Sequence, residues 1–254
     1  MKILLLFFFF SFLTGAVPRY IYKRILGGHD CIPNQTSYHI SICDNPCTSG
    51  DHVKCGGTLI REKWVLTAAS CDGPNIQVIR SSQNLGRIES QRIAQRIRLN
   101  FGGQNGDHDI MLLKMEGKID GRTPVREPND GECKNLLAGK VHDFDVAGFG
   151  IRGYTDGDRP VSTKSLLCVN IEKTDCNQEW KIDNGRFCAG GKGKGTRTGD
   201  LGGGLIKNGV VYGVTERGHI PDEKNKAGII PGVYINVCHF HAGINQHAAV
   251  INAA

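Results

Sequence analysis

The chain has 254 residues, long enough for one large all-β unit or two small ones. Its formal net charge of +6 overstates the charge of the mature protein, because the first 24 positions hold four basic residues and no acidic one. Without them, 27 basic residues face 25 acidic ones, and a net charge of +2 favours neither nucleic acid nor a membrane surface as a partner.

The amino terminus has the composition of a secretory signal peptide. Residues 1–16 combine one lysine, a Leu/Phe-rich run and a small-residue end. A membrane anchor is the alternative, but the apolar run is shorter than the ~20 residues that span a bilayer. Ten cysteines in a secreted chain indicate disulfide bonds, and the sequon at Asn34 is a candidate glycosylation site. We therefore expect a secreted, extracellular protein.

Short apolar runs alternate with clusters of Gly, Asn, Asp and Pro along the rest of the chain. Such runs predict the β-strands of a sandwich or barrel. They are Tyr38–Ile42, Gly57–Ile60, Ile76–Ile79, Ile110–Met115, Asp145–Gly148, Gly209–Val214 and Gly232–Val237. Only the tail, roughly Cys238 to Ile251, is free of helix breakers for long enough to predict a helix. The pattern therefore predicts an all-β fold with a C-terminal helix.

Two motifs resemble the catalytic loops of the chymotrypsin/trypsin-like serine proteases. Trp64–Cys71 reads WVLTAASC where the family has WVLTAAHC, and Gly199–Leu205 reads GDLGGGL where the family has GDSGGP. Further family landmarks follow in the same order, at Ile25–Gly28, Cys55–Ile60, Asp107–Leu113, Val146–Gly150 and Pro231–Tyr234. The resemblance covers nearly the whole mature chain. It implies a trypsin-like double six-stranded antiparallel β-barrel with a cleft between the barrels and a C-terminal helix.

The resemblance also implies how the chain is divided and processed. The expected parts are a signal peptide (1–16), a propeptide (17–24) and a trypsin-like domain (25–254), whose barrels span about 25–130 and 131–254. Lys23-Arg24 before Ile25 is a tryptic cleavage context. In the family, the freed terminal amine pairs with the aspartate that Asp200 matches. We therefore expect cleavage between Arg24 and Ile25, followed by insertion of Ile25 toward Asp200.

The residues at the three catalytic positions do not suit proteolysis. In the family a serine attacks the carbonyl, a histidine takes its proton and a buried aspartate orients the histidine. The matching residues are Leu201, Ser70 and Asp109. Leucine has no lone pair and no transferable proton, so we expect no serine protease activity. Asp109 is then expected as a buried acid bonded to backbone groups or to Ser70.

The specificity pocket is expected to be blocked or remodelled. Gly195 aligns with the aspartate at the base of trypsin's pocket, and Glu216-Arg217-Gly218 aligns with the S-W-G edge that pairs with substrate. Arg197 stands where the family has a pocket-flanking cysteine, so the cystine that staples this wall is missing. We expect a looser or reshaped wall. The alternative for Glu216 and Arg217 is that both charges simply turn to solvent.

The resemblance accounts for eight of the ten cysteines. It implies the disulfides Cys55–Cys71, Cys176–Cys188, Cys31–Cys168 and Cys133–Cys238. Cys43 and Cys47 remain, and they lie close enough in sequence to bridge locally.

Two basic stretches and a group of histidines are further candidates for binding. The stretches contain Arg87, Arg92, Arg96 and Arg98, and then Lys192, Lys194 and Arg197. Either could recognise an acidic partner or a sulfated glycan, but solvated loops balanced by nearby acids are the alternative that we favour. His239, His241 and His247 are expected at the surface rather than around zinc, because residues two apart do not share a helix face. We expect no metal ion and no cofactor.

The predicted function is protein binding rather than catalysis. The pattern is similar to the scabies-mite inactivated serine protease paralogues, a family associated with the mite gut and with interference in host complement. That resemblance implies a monomer that binds a host serum protein, with complement as the leading candidate and the gut lumen as one compartment. The alternatives are a competitor that masks substrates of active paralogues, an enzyme with a rearranged mechanism, and a carbohydrate or heparin binder.

Overall fold

A computed structural model describes most of the mature chain. The described residues are 25–32, 35–45, 53–80, 89–99, 108–149, 151–154, 160–162, 165–176, 182–191, 193–197, 199–221 and 229–248. The predicted signal peptide and propeptide, the sequon at Asn34, and Cys47 lie outside the described residues.

Eight strands precede the middle of the chain, and seven of them form one antiparallel sheet. The strands are β1 (His29–Asp30), β2 (His39–Asp44), β3 (Val53–Arg61), β4 (Trp64–Thr67), β5 (Ile76–Arg80), β6 (Glu89–Gln91), β7 (Ile93–Arg98) and β8 (Met111–Met115). The sheet order is β6-β5-β2-β3-β4-β8-β7. β6 and β7 are separated only by Arg92, so they form one bent segment. β6 pairs with β5 and β7 pairs with β8, and the segment therefore joins the two ends of the sheet into the form of a barrel.

The second half of the chain forms another antiparallel sheet. Its elements, with two short hairpins, are α1 (Asp130–Leu137), β9 (Asp143–Gly148), β10 (Ile151–Tyr154), β11 (Pro160–Ser162), β12 (Leu167–Thr174), β13 (Arg186–Ala189), β14 (Gly204–Lys207), β15 (Val210–Arg217), β16 (Ile220–Pro221), β17 (Ile229–Ile230), β18 (Gly232–Asn236) and α2 (Val237–Ala248). The sheet order is β1-β12-β13-β18-β15-β14-β9, and β9 also pairs with β12. Six strands therefore close into a ring, and β1 from the N-terminal segment adds to its outside.

The predicted all-β double-barrel fold is confirmed, with two differences in detail. Each sheet contains seven hydrogen-bonded segments rather than six, because one barrel splits a strand at Arg92 and the other recruits β1. Helix α1 was not predicted from the sequence, because Gly131 lies in its first turn and weakens the local preference for helix. Its start is fixed by a capping box in which Asn129 accepts from the Glu132 amide and Glu132 accepts from the Asn129 amide.

The predicted C-terminal helix is present as α2, and it packs onto the first barrel. Phe240 and Ile244 of this helix are fully buried in the same apolar cluster as Leu66 and Leu112 of the first sheet. The disulfide between Cys133 and Cys238 ties the base of α2 to α1. Within the described ranges, no helix is both long enough and apolar enough to cross a bilayer.

Candidate functional site

The structure brings the three predicted catalytic positions together where the two barrels meet. Ser70 lies in a short 3-10 turn after β4, Asp109 lies just before β8, and Leu201 lies in the loop before β14. The amide of Gly56 donates to the carbonyl oxygen of Leu201 at 2.7 Å. The Sγ atom of Cys71 lies 3.7 Å from the same oxygen. The loop that carries Leu201 therefore packs against the Cys55–Cys71 disulfide, which closes the loop that carries Ser70.

Asp109 is fully engaged by a single residue, Ser70. The hydroxyl of Ser70 donates to Asp109 Oδ2 at 2.7 Å, and the backbone amide of Ser70 donates to Oδ1 at 2.5 Å. The Asp109 side chain is half-buried and Ser70 is exposed, so the acid is less buried than we expected. In the protease triad the aspartate carboxylate orients the imidazole of the histidine. In this chain the Ser70 hydroxyl binds that carboxylate instead.

The backbone around Leu201 keeps a tight and specific shape. Gly202 has a φ of 79°, and a Cβ atom there would lie 2.2 Å from Thr67 Oγ1, so no residue with a side chain fits. The Gly202 amide donates to the Thr215 carbonyl at 2.8 Å. The half-buried Leu201 side chain packs against the apolar cluster of the first barrel. The loop is thus ordered around a hydrocarbon side chain.

The expected specificity pocket is filled by the imidazole of His219, which is only 3% exposed. Three glycines surround the ring: a Cβ atom would lie 1.8 Å from it at Gly190, 2.1 Å at Gly195 and 3.1 Å at Gly232. Gly195, the predicted pocket base, therefore faces a side chain of the protein itself. Without a side chain at these three positions, the walls leave room for one aromatic ring.

Both nitrogens of His219 have partners within the pocket. The Nδ1 atom lies 3.1 Å from the Thr196 carbonyl, to which it donates, and the Gly232 amide donates to Nε2 at 3.2 Å. Burial lowers the pKa of His219 to about 4, and the hydrogen bond to Thr196 only partly offsets this. The ring is therefore neutral at physiological pH, with its proton on Nδ1. The sequence analysis did not identify His219, because no motif marks a residue that acts by filling space.

The pocket wall that lacks the family cystine is held by direct backbone packing. A Cβ atom on Gly218 would lie only 2.7 Å from the Cα of Arg197, so the two segments touch where the disulfide would stand. The His219 amide also donates to the Thr196 carbonyl at 2.7 Å. Glycine at 218 is what allows this close approach, and the expectation of a looser or reshaped wall stays a prediction.

The charges at the substrate edge behave differently from each other. Arg217 is exposed, whereas Glu216 accepts two hydrogen bonds from Arg186, at 2.8 and 3.0 Å. Arg186 also donates to Asp183 at 3.0 Å, and Asp183 lies 3.0 Å from the buried His108. The paired Glu216 raises the pKa of the Arg186 guanidinium. The alternative that both charges turn to solvent is therefore wrong for Glu216.

The segment after the expected cleavage point is already inserted in the second barrel. Ile25 is 1% exposed within that barrel's core, and Leu26 exchanges backbone hydrogen bonds with Gly195 at 2.8 and 3.2 Å. Asp200 is 1% exposed and accepts from the Arg197 amide at 2.9 Å. In this uncut chain the Ile25 nitrogen is a peptide nitrogen, so its ion pair with Asp200 remains a prediction. Arg24 lies outside the described residues.

Four of the five expected disulfides are present. They join Cys31 to Cys168, Cys55 to Cys71, Cys133 to Cys238 and Cys176 to Cys188. Cys43 is also disulfide-bonded, but its expected partner Cys47 lies outside the described residues. Bonds of this number are typical of extracellular proteins.

The first basic stretch is paired with acids where it is described. Arg92 pairs with Glu116 at 3.1 Å, and Arg96 and Arg98 both approach Asp72, at 3.0 and 3.4 Å. In the second stretch Lys194 is exposed and Arg197 is half-buried. Arg87 and Lys192 lie outside the described residues.

The C-terminal histidines do not gather around a common point. His239 and His247 are exposed, and His241 accepts from the Asn245 amide group at 2.9 Å. Among the described residues, no group of three or more His, Cys, Asp or Glu side chains is arranged to hold a metal ion.

Comparisons with known proteins agree with this architecture. The family model described as "Trypsin" matches residues 25–244. Human Trypsin-3 is 32% identical over 87% of this chain and 73% of its own length, and Salmo salar Trypsin-1 is 30% identical over 91% and 94%. The solved structure of mouse neuropsin, described as a serine protease, superposes on this chain with a TM-score of 0.68 at 26% sequence identity. The superposition covers 88% of this chain and all of the neuropsin chain. The chain therefore belongs to the trypsin family of chymotrypsin/trypsin-like serine proteases.

Proposed function

We propose that this protein is a secreted, catalytically inactive member of the trypsin family that acts by binding another protein. The observation that carries the proposal is the combination of Leu201 at the nucleophile position with His219 inside the specificity pocket. One removes the attacking group and the other fills the space for the substrate side chain. Either change alone would impair proteolysis.

The first argument concerns the chemistry of the cleft. Leu201 cannot form an acyl intermediate, and Ser70 cannot act as the base that the family's histidine provides. In another serine protease, removal of the triad costs about 10⁶-fold in kcat, or about 8 kcal/mol of barrier. The backbone that carries these side chains is kept, and Ser70 remains hydrogen-bonded to Asp109.

The second argument concerns substrate access. A side chain of a substrate would have to displace His219, whose two nitrogens are hydrogen-bonded to Thr196 and Gly232. The pocket has no replacement for the aspartate that attracts a basic residue in trypsin, because Gly195 stands there. This also disfavours the alternative of a competitor that masks substrates, since masking through the cleft requires an open pocket.

The third argument concerns what remains for function. A chain with this disulfide-linked fold and no reacting nucleophile retains its surface loops, which in such scaffolds carry recognition. The resemblance to the scabies-mite inactivated paralogues supports a monomer that binds a host serum protein, with complement as the first candidate. The four disulfides support action outside the cell, and the gut lumen is a compartment consistent with that resemblance.

The Ser70–Asp109 pair is the one observation that favours a different chemistry. The Ser70 hydroxyl is exposed and points at a carboxylate 2.7 Å away, which is a pairing that could activate an alcohol. Labelling with a fluorophosphonate probe decides between the two functions, with porcine trypsin as the positive control and Ser70→Ala as the matched variant. We expect no labelling of either form. Labelling that disappears in Ser70→Ala would overturn the proposal.

The binding role is tested by capture from serum. The purified mature chain is immobilised, bound serum proteins are identified, and complement lysis is measured with and without the chain. We expect capture of a complement component together with reduced lysis. A chain that captures nothing and leaves lysis unchanged would contradict the proposed partner, and the labelling result would still stand on its own.

A further inference from the structure

A small pocket open to solvent lies directly after the turn that carries Ser70. Asp72, Gly73, Pro74, Arg96 and Arg98 line it, and its volume is about 340 Å³. The first three residues follow the 3-10 turn, and the two arginines are alternate residues of β7 and so share one face of that strand. The pocket therefore lies on the first barrel, next to the turn that carries Ser70.

One of the two arginines is sufficient to stabilise the loop. Arg96 donates to Asp72 Oδ1 at 3.0 Å and to the Gly73 carbonyl at 2.6 Å. The Gly73 amide donates to the same Oδ1 at 2.9 Å. Asp72, the loop backbone and Arg96 thus form a closed set of hydrogen bonds, and its charges already balance.

Arg98 adds a second positive charge that this set does not need. Its only described hydrogen bond to the pocket is a long one, 3.4 Å from Nη2 to Asp72 Oδ2, and its side chain is 57% exposed. A guanidinium has five N–H donors, and this contact uses one. Among the described residues that line the pocket, two guanidinium groups therefore converge on one carboxylate, which leaves an excess of one positive charge.

We propose that this pocket binds a carboxylate side chain of an acidic protein segment. The planar fork of an arginine matches a carboxylate with two parallel hydrogen bonds, and Arg98 has the free surface to provide them. A sulfated glycan fits less well, because a polyanionic chain running along β7 would meet Asp72 and the Glu116 that pairs with Arg92. One carboxylate of a flexible acidic peptide can reach Arg98 while its neighbours point to solvent, so it stays clear of Glu116 and competes only with Asp72, whose contact with Arg98 is long.

This inference rests on the proposed binding function only for the choice of a protein as occupant. The geometry of the pocket does not depend on whether the cleft is active. The peptide experiment below and the probe labelling of Ser70 therefore fail independently of each other.

The test measures binding of a fluorescein-labelled octaglutamate peptide to the purified protein by fluorescence anisotropy at physiological salt. We expect saturable binding, and Arg98→Gln should weaken it about tenfold. Arg92→Gln is the matched control, because it removes the same charge from the residue just before β7, outside the pocket, and it should stay within about twofold. An octaglutamine peptide should not bind.

A second variant separates ligand binding from damage to the loop. Asp72→Asn removes the competing carboxylate, so the octaglutamate peptide should bind several-fold more tightly, which a merely disordered loop would not produce. The proposal is overturned if the peptide fails to bind, if Arg92→Gln weakens binding as much as Arg98→Gln, or if Asp72→Asn weakens it. Stronger binding of a heparin hexasaccharide, with equal losses in both arginine variants, would also overturn it.

Discussion

Removal of the His219 ring tests whether this side chain is what fills the pocket. In His219→Ala the imidazole is replaced by a methyl group, while Gly190, Gly195 and Gly232 provide no side chain to occupy the space. The surrounding wall is held by backbone contacts and closes only partly. We therefore expect a cavity and a loss of stability.

The size of the effect follows from the contacts that are lost. A cavity of roughly 60 Å³ costs about 1.5 kcal/mol at about 24 cal/mol per Å³. The Gly232 amide and the Thr196 carbonyl each lose a hydrogen bond to the ring, at about 1 kcal/mol each, although Thr196 keeps the bond from the His219 amide. The free energy of unfolding should fall by about 3 kcal/mol, which lowers Tm by about 6–12 °C in a domain of this size.

The assay is thermal unfolding with and without added imidazole. Soluble imidazole should occupy the cavity of His219→Ala and restore about 1.4 kcal/mol at ten times its dissociation constant, while the unaltered protein shows no change. His247→Ala removes an exposed histidine and should shift Tm by less than about 2 °C. If His219→Ala unfolded like the control and ignored imidazole, the ring would not be filling the pocket.

Three further outcomes are expected. Burial lowers the pKa of His219 to about 4, so between about pH 6.5 and 4 the unfolded chain binds a proton that the folded chain excludes. The free energy of unfolding should therefore fall over this range by about 3 kcal/mol more than in His219→Ala. Parallel pH curves of the two proteins would contradict this. The double variant Ser70→His with Leu201→Ser should not hydrolyse an arginyl ester above background while His219 fills the pocket, so robust turnover would show an open cleft. Arg186→Ala leaves the half-buried carboxylates of Asp183 and Glu216 without their cation, and it should lower the free energy of unfolding in urea by about 2–3 kcal/mol. The exposed Arg92→Ala should lower it by about 0.5 kcal/mol or less, and equal losses would refute the network.

The pairing of Ser70 with Asp109 explains how the altered cleft is stabilised. An aspartate that lost its histidine would leave one oxygen of a half-buried carboxylate without a donor, which is costly. Ser70 satisfies both oxygens of Asp109 with its hydroxyl and its amide. The altered position 70 thus satisfies the retained aspartate, and Leu201, the second altered position, adds apolar packing.

The strands were predictable because their apolar runs are local. All seven runs chosen from the sequence coincide with strands, and the tail forms α2. Short elements such as β6, β13 and β14 were missed, because three or four residues give too little periodicity to recognise. The longer β7 and β12 were missed as well, because polar residues interrupt their apolar runs. Helix α1 was missed for a related reason, since only the capping box at Asn129 and Glu132 marks it.

The sequence by itself determined the family resemblance, the cysteine spacing and the chemistry of positions 70 and 201, because each depends on the identity of a residue within a recognisable motif. Only the tertiary structure decided what fills the pocket, which acid Arg186 neutralises and where Arg96 and Arg98 converge. His219 meets Gly195 across 24 positions and Arg186 meets Glu216 across 30. Such contacts are set by how each barrel brings distant strands and loops together, and no local pattern of polarity encodes them.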